Sequence, residues 1–86
     1  MVVKTTQHLN TEDRVIESVA WELNIPTYKL NPYTDFTDDL YLDTIDKDLL
    51  IAKLERDFDV ILSREEVANI ETIRDATQFI QLHASA

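Results

Sequence analysis

The sequence predicts an all-α fold, a small four-helix bundle with three main helices, one short helix and a long loop after the first main helix. Apolar residues recur at helical spacing in separate segments, and capping residues precede them. No segment shows the strict alternation that is typical of a strand. Eighty-six residues suffice for one domain with a modest core. We expect a loose arm over residues 1–9, the helical domain over 10–82 and a tail over 83–86.

The first helix is predicted to begin at an N-cap supplied by Asn10 or Thr11. The apolar residues that follow at helical spacing are Val15, Ile16, Val19, Ala20 and Leu23. Trp21 falls off this stripe, so we expect its ring to be partly exposed. The helix should end near Leu23, because Pro26 disfavours helical backbone in the residue before it.

The long loop runs from Asn24 to Asp43 without convincing periodicity. A loop of this length is uncommon in a small domain unless it is functional or tied down. The residues predicted to anchor it across the helices are Ile25, Leu30, Tyr33, Phe36 and Leu40. The chain contains no glycine, so its turns must be built on Pro, Asn, Asp, Ser or Thr.

The second helix is predicted to begin at Asp43-Thr44, and its apolar residues fall on two sides. At about 100° per residue, one side carries Leu50, Ile51, Leu54 and Phe58. The opposite side carries Ile45, Leu49 and Ala52. A helix in so small a protein is not expected to be buried all round, so the first set is predicted to face the core. The second set is then a candidate contact surface, unless it packs under the preceding loop.

Two helices are predicted after the second. Ser63 and Glu66 have the spacing of a capping box, which favours a short helical turn through Val67 to Ile70. Thr72 with Asp75 should start the last helix. The helical-period apolar face of that last helix is expected to contain Ile73, Ala76, Thr77 and Ile80.

The composition excludes several function classes. The absence of cysteine removes disulfides, thiolate nucleophiles and cysteine-ligated zinc, and a cytoplasmic location is expected. The first residues do not have the pattern of a signal peptide. No apolar run approaches the length needed to cross a bilayer, so no membrane insertion is expected.

Acidic residues dominate the charge. Seventeen acidic and eight basic residues give a net charge of −9, and the segment 35–59 alone holds nine acids and three bases. Such a surface repels nucleic acid, whose phosphates require Lys and Arg. We therefore expect partners that present basic patches, although a charge run is also compatible with a merely solvated face. A monomer is also expected.

Catalytic and metal-binding constellations are weak. His8 and His83 lie near the two ends of the sequence and belong to no recognisable Ser/His/Asp arrangement, so an enzyme is not predicted. Positions 1, 3, 5 and 12 of a calcium-loop template are matched by Asp35, Thr37, Asp39 and Asp46. Leu40 stands at position 6, where the sharp turn requires glycine, so no dedicated metal site is predicted.

Thr44 is the polar residue with the most marked position. A group attached to a side chain at a helix N-terminus lies near backbone N–H groups without helical partners, and a phosphate ester is favoured there. Asp39, Asp43 and Asp46 repel a free phosphate, but a covalent attachment made by an enzyme avoids this objection. The alternative is that Asp43 caps the helix and Thr44 simply occupies its first turn.

The segment Asp43-Thr44-Ile45-Asp46 resembles the Asp-Ser-Leu-Asp attachment motif of the acyl carrier proteins. The similarity covers about residues 10–82. It continues through Phe36, Asp39-Leu40, Leu50, Leu54-Glu55, Phe58-Asp59, Leu62, Glu65-Glu66, Ile70, Thr72-Ile73 and Phe79-Ile80. The resemblance implies an acyl-carrier-protein type of helical bundle without catalytic activity.

The resemblance also implies a cofactor and partners. In that family a transferase esterifies the serine with 4′-phosphopantetheine from coenzyme A, and the arm carries acyl groups as thioesters in fatty-acid or related acyl biosynthesis. Thr44 would bear the arm. A phosphopantetheinyl transferase and acyl-chain synthesis enzymes with basic patches would recognise Asp39, Asp43, Ile45, Asp46, Asp48, Leu49, Ala52, Glu55 and Asp57.

Four departures from the family pattern leave an alternative open. Thr44 replaces serine and adds a methyl group that stiffens χ1. Leu42 replaces a small residue, while Asp48 and Leu49 stand where an apolar residue and an acid are common. The alternative is an unmodified interaction module that kept the fold and lost the arm.

Overall fold

Four α-helices in the described part of the chain build the fold of the computed structural model, which describes residues 10–84. The α-helices are α1 (Thr11–Leu23), α2 (Thr44–Phe58), α3 (Arg64–Ala68) and α4 (Ile73–Ala84). A 3₁₀ helix, Thr27–Lys29, lies in the loop between α1 and α2. The all-α prediction is confirmed. The predicted N-terminal arm lies outside the described residues.

Side-chain caps define the helix starts. The side chains of Asn10, Asp43 and Ser63 accept the N–H of the residue three positions later, at the beginnings of α1, α2 and α3. Ser63 and Glu66 form the predicted capping box. The short helix ends at Ala68, two residues before the predicted limit, because the Asn69 N–H and side-chain amide both cap its last carbonyls.

Two residues in the left-handed backbone conformation end α1 and α2, at a position where many helices have glycine. Asn24 and Asp59 adopt φ near +57° immediately after α1 and α2, and their N–H groups donate to carbonyls of the last turn. Asn and Asp tolerate this conformation better than most residues. Tyr41, also at positive φ, makes a third such turn just before α2.

The core lies where α1, α2 and α4 meet. Side chains with almost no exposed area include Val15 and Val19 of α1, Ile51 and Leu54 of α2, and Ile73 and Ile80 of α4. The face predicted for α4 is confirmed, since Ile73, Ala76, Thr77 and Ile80 are all buried. Phe58 packs against the core as predicted but is only partly buried, and the Arg14 guanidinium lies 4.8 Å from its ring centroid.

The loop after α1 is tied down by two buried anchors. Leu30 and Phe36 enter the core, and Ile25 and Leu40 pack against it. Phe36 also donates its N–H to Glu71, beside a single antiparallel bridge between Asp35 and Thr72. Tyr33 was expected to be an anchor and is not: its side chain is exposed, and its ring stacks instead under the Arg74 guanidinium at 5.0 Å. The loop is therefore tied both to the core and to the segment just before α4.

α4 continues through Ala84, so His83, which was predicted to lie in a C-terminal tail, is in the last helical turn. None of the helices in residues 10–84 combines the length and apolar character needed to cross a bilayer.

Candidate functional site

Thr44 is the first residue of α2, and its side chain is exposed. Asp43 precedes it in extended conformation, and the Asp43 carboxylate accepts the N–H of Asp46 at 2.8 Å. The Asp43 carbonyl accepts the N–H of Lys47. The N–H groups of Thr44 and Ile45 therefore remain without helical partners at the positive end of the α2 dipole. No hydrogen bond joins the Thr44 hydroxyl to the described part of the chain.

The two sides of α2 predicted from its spacing are confirmed as buried and exposed. Leu50, Ile51 and Leu54 form the core face, each no more than 3% exposed. Ile45, Leu49 and Ala52 form the contact face, with Ile45 70% and Leu49 56% exposed. These three residues do not pack under the preceding loop. The contact face begins beside Thr44 and leaves apolar side chains in solvent.

The acids predicted to take part in recognition differ in whether their side chains also make contacts within the fold. Asp46 and Asp48 have exposed side chains near Thr44. Asp39 and Glu55 instead serve the fold: Asp39 accepts the N–H of Asp35 at 2.8 Å, and Glu55 accepts the N–H of Leu62 at 2.7 Å. Asp57 lies 3.4 Å from the guanidinium of its neighbour Arg56. Within residues 10–84 the carboxylates of Asp46 and Asp48 make no hydrogen bond or ion pair, so these two acids remain available to a partner.

A groove of about 550 Å³ connects Thr44 to α3. Its lining comes from the start of α2, the segment before α3, and α3 itself, and consists of Thr44, Lys47, Asp48, Glu55, Leu62, Arg64, Val67 and Ala68. Leu62, Val67 and Ala68 supply apolar surface. The groove can shelter an extended chain that starts near Thr44. Thr44 was predicted from the sequence, but the groove side formed by Leu62, Val67 and Ala68 was not. These residues lie more than ten positions from Thr44 in the chain.

The acids of the loop before α2 are used in local turns. The Asp35 carboxylate accepts the N–H groups of Thr37 and Asp38, both at 2.8 Å. This is an Asx-type turn, which an aspartate makes in the absence of any ion. Within residues 10–84 no group of three or more His, Cys, Asp or Glu side chains has metal-binding geometry.

A hydrogen-bonded pair of side chains joins α3 to the end of α4. His83 Nε2 lies 2.8 Å from a Glu66 carboxylate oxygen, and Glu66 also accepts the N–H of Ser63. The hydrogen bond with His83, and next the Ser63 N–H, lower the pKa of Glu66 below its ordinary value. Because α3 forms one wall of the groove, this pair helps to hold that wall in place. The pairing joins residues 17 positions apart, so no local pattern predicted it.

Known proteins of similar sequence are acyl carrier proteins, although no protein-family model matches the chain. The acyl carrier protein of Solidesulfovibrio magneticus is 32% identical over 73 residues, which is 85% of this chain and 94% of that protein. That of Buchnera aphidicola subsp. Acyrthosiphon pisum is 36% identical over 72 residues, or 84% of this chain and 90% of its own length. The chain belongs to the acyl carrier protein family.

Proposed function

We propose that this protein carries acyl groups as thioesters on a 4′-phosphopantetheine arm attached to Thr44, in fatty-acid or related acyl biosynthesis. The observation that carries the proposal is the exposed hydroxyl of Thr44 at the start of α2, inside the segment Asp43-Thr44-Ile45-Asp46 of a family member. The carrier is not itself an enzyme, and transferases and acyl-chain enzymes act on it.

The local chemistry suits a phosphodiester at this position. The unpartnered N–H groups of Thr44 and Ile45 are donors beside the threonine oxygen, and the α2 dipole favours negative charge there. The bound arm would supply the thiol that forms the thioester. The chain's own residues would hold the phosphate at Thr44 and offer the apolar groove wall of Leu62, Val67 and Ala68 to the attached chain.

Recognition is proposed to use the exposed side of α2. Asp46 and Asp48 supply negative charge, and Ile45 and Leu49 supply apolar contact area next to it. Partners with basic patches are steered by the charge and then bind through the apolar side chains. Asp43 has a double role here, because its carboxylate caps α2 as well as adding charge.

The experiment is intact mass measurement after incubation with coenzyme A, Mg²⁺ and several phosphopantetheinyl transferases. We expect an adduct with the mass of one phosphopantetheine group on the native chain, faster formation on Thr44→Ser, and no adduct on Thr44→Ala. Circular dichroism of the three chains controls for folding. A native chain that stays unmodified would contradict the proposal, whether or not Thr44→Ser is modified.

A second candidate is an unmodified interaction module. It is favoured by the threonine, whose methyl group crowds the hydroxyl, together with the exposed Ile45 and Leu49. Modification of Thr44→Ser alone would support it, since the recognition surface would then be intact while the native chain works without an arm. Partner binding that survives Thr44→Ala but is lost in Ile45→Ala would point the same way.

A further inference from the structure

Lys47 heads the core face of α2, where an apolar residue would be expected. It lies three, four and seven positions before Leu50, Ile51 and Leu54, so all four residues share one side of the helix. The three that follow are buried, whereas Lys47 is partly buried. Its aliphatic stem can cover apolar surface while the ammonium group seeks a polar partner.

The partner of that ammonium group lies across the bundle. Lys47 Nζ donates to the carbonyl oxygen of Ile70 at 2.9 Å, and Ile70 lies in the junction between α3 and α4. The Lys47 side chain therefore spans from the first turn of α2 to the opposite wall. Lys47 also lines the groove that starts at Thr44. The side chains of Ile70, which accepts this hydrogen bond, and of nearby Ile73 are fully buried.

We propose that Lys47 is a specificity-determining strap that closes the passage from the Thr44 groove into the apolar interior between α2 and the α3–α4 junction. An alkyl chain that entered there would have to break the bond between Lys47 and Ile70 and leave the carbonyl of the buried Ile70 without its donor. The cargo is therefore held in the surface groove of Leu62, Val67 and Ala68. The fitting class is short or polar acyl groups. The biological meaning of this inference rests on the proposed arm at Thr44.

The test attaches alkyl chains chemically, because the sequence contains no cysteine and Thr44→Cys creates a single thiol. The thiolate attacks an alkyl methanethiosulfonate, a mixed disulfide forms, and methanesulfinate leaves. Octyl and methyl adducts of the full chain are compared in three backgrounds, namely Lys47, Lys47→Met and Lys47→Arg. Backbone amide chemical shifts and Tm are measured, with the methyl adduct of each background as its reference.

With Lys47 present, the octyl chain should move the amide signals of Leu62, Val67 and Ala68 but not those of Leu54 and Ile73. In Lys47→Met the changes should extend to Leu54, Ile70 and Ile73, and the Tm of the octyl adduct should lie about 4–8 °C above that of the methyl adduct of the same variant. Lys47→Arg keeps a donor for the Ile70 carbonyl, so it should behave like Lys47.

Several results would overturn the strap. The first is an octyl chain that shifts the amide signals of Leu54 and Ile73 with Lys47 in place. The second is the same set of shifted amides in Lys47 and Lys47→Met. The third is a set of shifted amides in Lys47→Arg that matches the set in Lys47→Met. These outcomes are independent of the transferase experiment. A native chain that no transferase modifies would refute the arm at Thr44 while leaving the strap to be judged by the chemically attached chains.

Discussion

The core face and the contact face of α2 contain the same kinds of residue in opposite surroundings. Ile51 and Leu54 are each 1% exposed, whereas Ile45 and Leu49 on the same helix are mostly in solvent. The contact face is also flanked by the exposed acids Asp46 and Asp48. In α2, therefore, residue type alone does not determine whether a side chain is buried or exposed. Angular position decides whether an apolar side chain supports the fold or remains available to a partner.

The largest expected effect tests the stability half of this comparison. Leu54→Ala should cost about 2–5 kcal/mol of unfolding free energy, because it removes a buried side chain and leaves a cavity. The matched change Leu49→Ala should stay within about 0.5 kcal/mol. Urea unfolding followed by circular dichroism measures both. Equal losses in the two variants would show that the contact face is also part of the core.

The second prediction tests the recognition half and uses helix position as the control. Asp46 and Asp13 are both third residues of their helices, and their N–H groups both donate to the N-cap. Under the proposed function, Asp46→Lys should lower the kcat/KM of transferase modification about tenfold or more, with a smaller loss at high salt. Asp13→Lys makes the same charge change on α1 and should leave modification nearly unchanged. Similar losses in both variants would show that the transferase responds to the net charge of the protein and not to Asp46 in particular.

The third prediction separates capping from charge at Asp43. Asp43→Ala removes the acceptor for the Asp46 N–H and should cost about 1 kcal/mol of stability. Asp43→Asn keeps the cap and removes only the charge, so its stability should be close to native. If transferases read the charge, both variants should lose modification. An Asp43→Asn chain that is modified at the native rate would assign Asp43 a purely structural role.

The smallest effect lies away from α2, in the pair of Glu66 and His83. The folded-state pKa of Glu66 is lowered from its ordinary value of 4.5, mainly by the hydrogen bond with His83. A lowered carboxyl pKa stabilises the fold above pH 4.5, and this contribution disappears as the pH falls through the folded-state value. Glu66→Gln should therefore lose less stability than the native chain over that acidic window. Urea midpoints from pH 6 to pH 3 measure the difference, and parallel curves would contradict it.

Much of the fold follows from local patterns. The end of α1 before Pro26, the Ser63 capping box and the two faces of α2 depend on residues a few positions apart, and each agrees with the structure. Positive φ at Asn24 and Asp59 is likewise in keeping with a chain that must turn without glycine.

Most of the features that the sequence did not predict depend on partners far apart in the chain. The bond from Lys47 to Ile70 spans 23 positions, and the pair of His83 and Glu66 spans 17. Tyr33 was expected to anchor the loop, but Arg74 offers its ring a contact at the surface instead. The 3₁₀ helix Thr27–Lys29 is too short to show a period. In the candidate site, Thr44 was therefore predictable and the groove wall opposite it was not.

The most direct measurement of the central claim is the location of the adduct after co-expression with a phosphopantetheinyl transferase. Trypsin releases residues 30–47 as one peptide, which holds three threonines, Thr34, Thr37 and Thr44. Thr34 is buried, whereas Thr37 and Thr44 are exposed, so fragmentation of the peptide must separate the last two. We predict a phosphopantetheine mass on Thr44 alone. An adduct on Thr37, or an unmodified native peptide from cells in which the transferase modifies the Thr44→Ser variant, would contradict the account.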